Sequence, residues 1–287
     1  MLRGVMRNEA DPRPEAEPAE DSGIAPTAHY TASAWYRLGF PYGFAFVTPE
    51  GRRAFWGVRI AGEWVPAVLP QLPSMLDYLE LRHALLEDAV ERAQPDMLVE
   101  LAAGLSRRGI TWARERGVRV VEVDLPPMIA RKRTQLALHG IESDAMTLVA
   151  RDLLEPDLDV FLAETLRDAA RPVIVAEGFL GYLAEAERSL VVAAVAEGLR
   201  RVGGGVFLCD LRMKRSGTAR ALSNAIRLGI MAVTRGHSAK PDFASQDAAE
   251  GFLRAAGFDD VEVLAPDLIP RLAHLETPNR VFACRVY

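Results

Sequence analysis

With 287 residues, 49% of them apolar and 25% charged, the chain can bury a substantial core, which excludes a wholly disordered protein. Its 39 acidic and 34 basic side chains leave a net charge of -5, so no positive field gathers phosphate backbones or anionic lipid, and nucleic acid and membrane surfaces are poor partners. Two cysteines, Cys209 and Cys284, are too few for a disulfide framework or a structural zinc cluster; each reads as a small buried apolar residue in a reducing cytosol, and no metal is expected.

Residues 1–24 carry six acidic and three basic side chains, three prolines and no aromatic residue, a composition that predicts a disordered tail. Residues 25–93 turn aromatic and irregular, with Gly and Pro punctuation, and predict a helical cap. Its last part, SMLDYLELRHALLEDAVERA, opens with Ser74 and Asp77 in capping-box spacing and keeps helical periodicity to about residue 92. From Pro95, short β-rich runs alternate with helical patterns, the signature of repeated βαβ units. Strands are expected at 97–101, 118–124, 145–150, 172–178 and 205–210, with helices at about 105–116, 127–139, 157–170 and 185–201. The basic stretch at 212–244 predicts an inserted helix over the sheet edge, followed by a helix at about 245–256 and two last strands, VEVLA and RVFACRV. The fold class is therefore α/β, a doubly wound Rossmann-like sheet spanning 94–287 behind the cap. No apolar run approaches the roughly 18 residues that span a bilayer, so a soluble, cytoplasmic protein is expected.

In open α/β sheets, ligands bind where the strands run out at their carboxyl ends. Glu100, Asp124, Asp152, Glu177 and Asp210 all fall at or just after predicted strand ends. One such acid ordinarily reads as a helix N-cap, but five form an acidic rim that repels pyrophosphate. The turn AAGLSRRG also has one glycine where a dinucleotide fingerprint needs three. S-adenosylmethionine suits the rim instead, because its sulfonium, ammonium, ribose hydroxyls and adenine amine accept acidic partners and it has no phosphate. Gly104 permits close backbone approach, and Asp124, twenty residues later, stands where an acid takes ribose hydroxyls. The cofactor's own carboxylate needs a cation, and Arg82 grows from a stripe of Met75, Leu79, Leu86 and Ala89 on the long helix; a snorkelling arginine, or one paired with a protein carboxylate, fits that periodicity equally well.

The segments PTAHYTASAWYR (26–37), LRHALLED (81–88), VELAAGLSRRG (99–109), VEVDLPPMIARKR (121–133), RDLLEP (151–156) and AEGFLGYL (176–183) resemble the leucine carboxyl methyltransferase family, in its bacterial branch around tetracenomycin polyketide synthesis O-methyltransferases. The resemblance covers about residues 25–287 and implies a class I methyltransferase fold. It implies that Arg82 holds the cofactor carboxylate, that Gly104 is the motif glycine and that Asp124 is the ribose acid. Asp152 with Leu153 would then meet the adenine edge, Glu177 the methionine ammonium, and Tyr182 the methyl-transfer centre. Glu100 is a further cofactor-binding candidate from its place in the acidic rim alone. The family turn often has a second glycine where this chain has Ala102 or Ala103.

The expected activity is S-adenosylmethionine-dependent O-methylation of a carboxylate on a small natural product or a peptide end. The alternatives are a phenolic or other hydroxyl acceptor, and a non-catalytic S-adenosylmethionine-binding protein. A carboxylate is already ionised and needs no base, whereas a phenol with a pKa near 10 benefits from one. His29 is the candidate base, against its commoner reading as a satisfied core histidine. Tyr30, Trp35, Tyr36 and Phe40 read equally as core or as substrate wall. His237 and the basic side chains of the insert read as solvated surface, and oligomeric state is left open.

Overall fold

The computed structural model describes residues 25–62, 74–214, 243–275, 277 and 279–287. The expected tail (1–24) and the body of the expected inserted helix, with Arg215, Arg227, Arg235 and His237, lie outside the described residues.

The chain opens with α1 (Ala25–Arg37), a 3-10 turn (Gly43–Phe46) and α2 (Pro49–Gly62). These bury Ala34, Trp35 and Phe55 among themselves, with Tyr30, Phe40 and Leu79 packed alongside, while Tyr36 is exposed. Then α3 (Met75–Ala93) begins at a complete capping box, in which the Ser74 hydroxyl accepts from the Asp77 N–H and the Asp77 carboxylate accepts from the Ser74 N–H. Sequence groups α3 with the cap, yet Leu81, Leu85, Leu86, Ala89 and Val90 join the core on one face of the sheet.

Seven strands follow: β1 (Met97–Leu101), β2 (Arg119–Asp124), β3 (Met146–Ala150), β4 (Pro172–Ala176), β5 (Gly205–Arg212), β6 (Asp260–Leu264) and β7 (Asn279–Val286). The intervening helices are α4 (Arg108–Arg116), α5 (Pro126–Leu138), α6 (Leu158–Leu166), α7 (Glu185–Arg201) and α8 (Gln246–Ala255). Strand order is β3-β2-β1-β4-β5-β7-β6, with β1 to β5 parallel and β7 antiparallel to both neighbours. Chain order reverses across β1, so the carboxyl ends of β2, β1 and β4 flank a topological switch point. β1 and β4 are buried along their whole length, as central parallel strands covered on both faces must be.

The helix expected from residue 105 starts at Arg108, because the Ser106 hydroxyl accepts the Arg108 N–H and ends the preceding turn. Cys209 and Cys284 are buried free thiols. Glu122 on β2 and Lys132 on α5 form an ion pair without solvent contact, and Lys132 also faces the Phe46 ring at 5.3 Å, which ties the cap to the sheet. Gly109 makes room for this pair, since a Cβ there would overlap Glu122 Oε1 and approach its Cδ to 2.9 Å. Gly109→Ala is expected to destabilise the fold by about 1–3 kcal/mol through overpacking, read as a lower denaturant midpoint at unchanged slope. A wild-type midpoint would show that Glu122 yields freely.

Candidate active site

At the switch point, β1 runs into the turn 102–107 and β2 ends at Asp124. Ala102 and Gly104 both adopt left-handed backbone, at φ 50° and 51°. Ala102 therefore occupies, with a β-carbon, a conformation that costs a non-glycine residue roughly 1–2 kcal/mol. The turn is tied to β2: Asp124 Oδ2 accepts the Gly104 N–H at 2.6 Å and Oδ1 accepts the Leu125 N–H at 2.7 Å. Burial raises the Asp124 pKa, and the two N–H groups work in the opposite direction. Beyond β3, Asp152 is exposed and its Oδ1 accepts the Leu154 N–H, while Leu153 turns into the core.

After β4, Glu177 and Arg82 are directly paired, with Arg82 Nε donating to Glu177 Oε1 at 3.1 Å. Arg82 Nη1 lies 3.5 Å from Asp210 Oδ2. Asp210 is itself fixed: Oδ1 accepts the Gly178 N–H at 2.6 Å and Oδ2 accepts from Asn279 Nδ2 at 3.1 Å. Gly178 has φ 66°, and a Cβ on it would meet the Arg82 guanidinium at 3.1–3.3 Å. The guanidinium thus lies against bare backbone with two of its nitrogens engaged, and among the described residues Nη2 has no bond. Asn279 on β7 has no sequence signal, because only the antiparallel return of that strand brings it here.

Behind Glu177 stands a buried ion network. Arg108, without solvent contact, donates to Glu87 Oε1 at 2.6 Å, Glu100 Oε1 at 2.7 Å and Glu177 Oε2 at 2.6 Å. His83 Nδ1 lies 3.0 Å from Glu177 Oε2, and His83 Nε2 lies 2.8 Å from Arg107 Nη2. Arginine can only donate, and Arg107 Nη2 lies 2.8 Å from Nε2 while Arg108 Nη2 lies 3.2 Å from Nδ1; the shorter contact makes Nε2 the acceptor and puts the proton on Nδ1, facing Glu177 Oε2. Glu100 differs from its expected place in the cofactor lining: it is 2% exposed and its carboxylate faces Arg108 beneath the rim, because the middle of a strand buried on both faces gives it no path to the cleft. Burial disfavours ionised Glu177, but His83, Arg108 and Arg82 outweigh it and hold its pKa well below the usual range. Four carboxylates (Glu87, Glu100, Glu177, Asp210) face three guanidiniums (Arg82, Arg107, Arg108), so with His83 neutral and the acids ionised the cluster carries one excess negative charge.

α1 covers this floor. A Cβ on Gly104 would lie 3.3 Å from the Ala28 Cβ, and Tyr182 Oη donates to Thr27 Oγ1 at 3.4 Å. Tyr182 ends the 3-10 turn Leu180–Tyr182 and is half-buried. His29 is buried, with Nδ1 2.7 Å from Thr48 Oγ1 and Nε2 2.8 Å from Arg131 Nη1. Both its nitrogens are committed to holding α1 against its neighbours, so the geometry gives it an anchoring place instead of the expected place of a base.

His83 has its pKa lowered, first by burial. The unfolded chain takes up that proton below about pH 6.5 while the folded chain resists it, so the stability His83 contributes is present above that pH and is lost as pH falls. The melting-temperature gap between wild type and His83→Asn is expected to narrow from about pH 7.5 to about pH 5. A constant gap would contradict a buried neutral ring.

A model of the leucine carboxyl methyltransferase family matches residues 41–196, more than half of the chain. A candidate S-adenosyl-L-methionine-dependent methyltransferase of Mycolicibacterium paratuberculosis is 31% identical over 134 residues, covering 45% of this chain and 42% of that protein. Another, of Parafrankia, is 31% identical over 188 residues, covering 59% and 58%. The chain thus spans about two fifths to three fifths of the length of these curated relatives. Among solved structures, a candidate methyltransferase of Thermobifida fusca superposes with a TM-score of 0.56 at 16% identity, covering 90% of this chain and 93% of that one. PigF, solved with SAH, gives a TM-score of 0.50 at 14% identity over 92% and 69%. These likenesses show the fold, an α/β class I methyltransferase architecture, and with the match at 41–196 the chain belongs to the leucine carboxyl methyltransferase family.

Proposed function

We propose that this chain is an S-adenosylmethionine-dependent O-methyltransferase that esterifies a carboxylate on a small natural product or a peptide terminus. One observation carries the reading: beside β4, a guanidinium with an open Nη2 is pinned next to an ionised carboxylate, which suits the amino-acid end of that donor. Arg82 would hold the donor's carboxylate and Glu177 its ammonium. Asp124 would take the ribose hydroxyls, since each of its oxygens accepts only one backbone N–H and a carboxylate offers about four acceptor sites. Asp152 would meet the adenine edge across the turn after β3, and Leu153 would meet it through its backbone alone, its side chain being in the core. The excess negative charge of the cluster, with Asp124 beside it, favours a donor of net positive charge, whereas a pyrophosphate would be repelled.

When bound, the donor supplies an electrophilic methyl group on a sulfonium. The protein's share is alignment and exclusion of water. α1, held by Thr27 to Tyr182 and by His29 to Thr48 and Arg131, closes over the turn at Gly104. Tyr182, whose hydroxyl donates to Thr27 on that cover, would orient the acceptor. An acceptor carboxylate, already ionised, fits a site whose nearest histidines, His29 and His83, both have their ring nitrogens engaged by protein groups. Neutralisation of the two opposite charges favours a water-poor pocket.

Incubation with labelled S-adenosylmethionine and a panel of carboxylic acids and phenols tests the reading. Base-labile methyl esters are expected; base-stable ethers would shift the acceptor to a hydroxyl, and donor binding without any transfer would leave only a binding protein. Asp124→Ala is expected to weaken donor binding at least tenfold, about 1.4 kcal/mol, as charge-assisted hydrogen bonds and the tie to the Gly104 turn are lost. Wild-type affinity would remove Asp124 from the site. Tyr182→Phe is expected to lower kcat several-fold with donor Kd unchanged, and a variant unaltered in both would take Tyr182 out of the chemistry.

A further inference from the structure

Helix α4 does not need three carboxylates to seat Arg108. Taking a guanidinium out of water costs several kcal/mol and one well-placed carboxylate can offset much of it, yet three converge here from α3, β1 and the end of β4. Only Glu177 of these three also touches Arg82. Its Oε1 is shared with Arg82, while Oε2 receives two donors, Arg108 Nη2 at 2.6 Å and His83 Nδ1 at 3.0 Å. His83 is fixed in turn by Arg107 on its far nitrogen and by tilted contacts with the Trp35 and Phe40 rings, with centroids 4.3 Å and 5.2 Å away. Oε2 is therefore held from behind, and the remaining acceptor capacity of Glu177 lies on the Arg82 side.

We propose that Arg108 and His83 are positioning residues for donor recognition: by engaging Oε2 of Glu177 they fix its carboxylate so that the Oε1 edge meets an ammonium group, which gives the site its selectivity for a donor with an amino-acid end. The inference rests on the reading of the cleft as an S-adenosylmethionine site and adds what enforces its selectivity. Two features of the network follow from it. The contacts of His83 with Trp35 on α1 and with Phe40 in the turn after it make the orientation of Glu177 depend on the N-terminal segment, so the cover over the cleft and the ammonium site are mechanically linked. His83 acts here as the neutral Nδ1–H tautomer, in which Nε2 accepts from Arg107 at 2.8 Å and Nδ1–H points to Glu177 Oε2 beside Arg108 Nη2, 3.2 Å away.

The test compares two ligands that share an adenosine and a thioether, S-adenosylhomocysteine, which has the amino-acid end, and 5′-methylthioadenosine, which lacks it. Titration calorimetry on the full chain measures both for wild type, Arg108→Lys, His83→Phe and His83→Asn. Arg108→Lys and His83→Phe are expected to raise the Kd for S-adenosylhomocysteine at least tenfold, with 5′-methylthioadenosine changed less than twofold. His83→Asn, whose amide can donate from nearly the place of Nδ1, is expected to restore most of the affinity. Equal losses for both ligands would reduce the pair to a structural role and overturn the proposal, as would unchanged affinity for both. If Arg108→Lys does not fold, the two His83 variants decide the matter. Wild-type protein that binds neither ligand would instead overturn the donor reading of the cleft itself.

Discussion

A guanidinium shielded from all water cannot remain in a protein unless carboxylates come to it, and Arg108 meets that requirement at the centre of this molecule. Its partners arrive from α3, β1 and the end of β4, so the one interaction fixes the long helix, the central strand and the first turn beyond the fourth strand relative to each other. The same carboxylate that satisfies Arg108 on one oxygen holds Arg82 on the other. Removing one partner from such a network strands the remaining charges, which makes it all-or-none in a way that apolar packing is not.

From this anchor the cleft is built by short links. Asp210 takes the Gly178 N–H and Asn279, and through them sets the surface on which Arg82 lies. Asp124 performs the matching task three strands away, at the end of β2, bonding the turn at Gly104 and the start of α5. Acids at strand ends therefore have two occupations: they shape the backbone of the rim and keep lone pairs facing inward. The N-terminal helices complete the enclosure from above, clamped to α5 through His29 with Arg131 and through Phe46 with Lys132.

Much of the fold was legible in the chain because its determinants are local. MLVEL and PVIVAEG are β-rich runs bounded by proline and turn residues; the first forms the strand expected at 97–101, and the second, expected over 172–178, forms one over Pro172–Ala176. The capping box at Ser74 marks the start of α3 to the residue. The place of β7 between β5 and β6, and hence of Asn279, depends on a long-range pairing that no periodicity encodes. Arg82 stood out as a charge on an apolar stripe, and the strand-end acids stood out by repetition. Arg108 and His83 did not, since an arginine in LSRRG reads as solvated and its three partners lie 21, 8 and 69 residues away. A signal did exist: Glu100 sits inside a five-residue strand that is otherwise apolar, and an acid there demands a buried cation.

In the proposed function, the acidic, Arg82-tipped cleft accepts a cationic methyl donor and refuses phosphate. The most direct measurement is side-by-side titration of the purified chain with S-adenosylmethionine and with NAD. Saturable one-site binding of the first, lost on Arg82→Ala, and no heat from the second is the predicted result. Binding of NAD, or S-adenosylmethionine binding that is indifferent to Arg82, would contradict it.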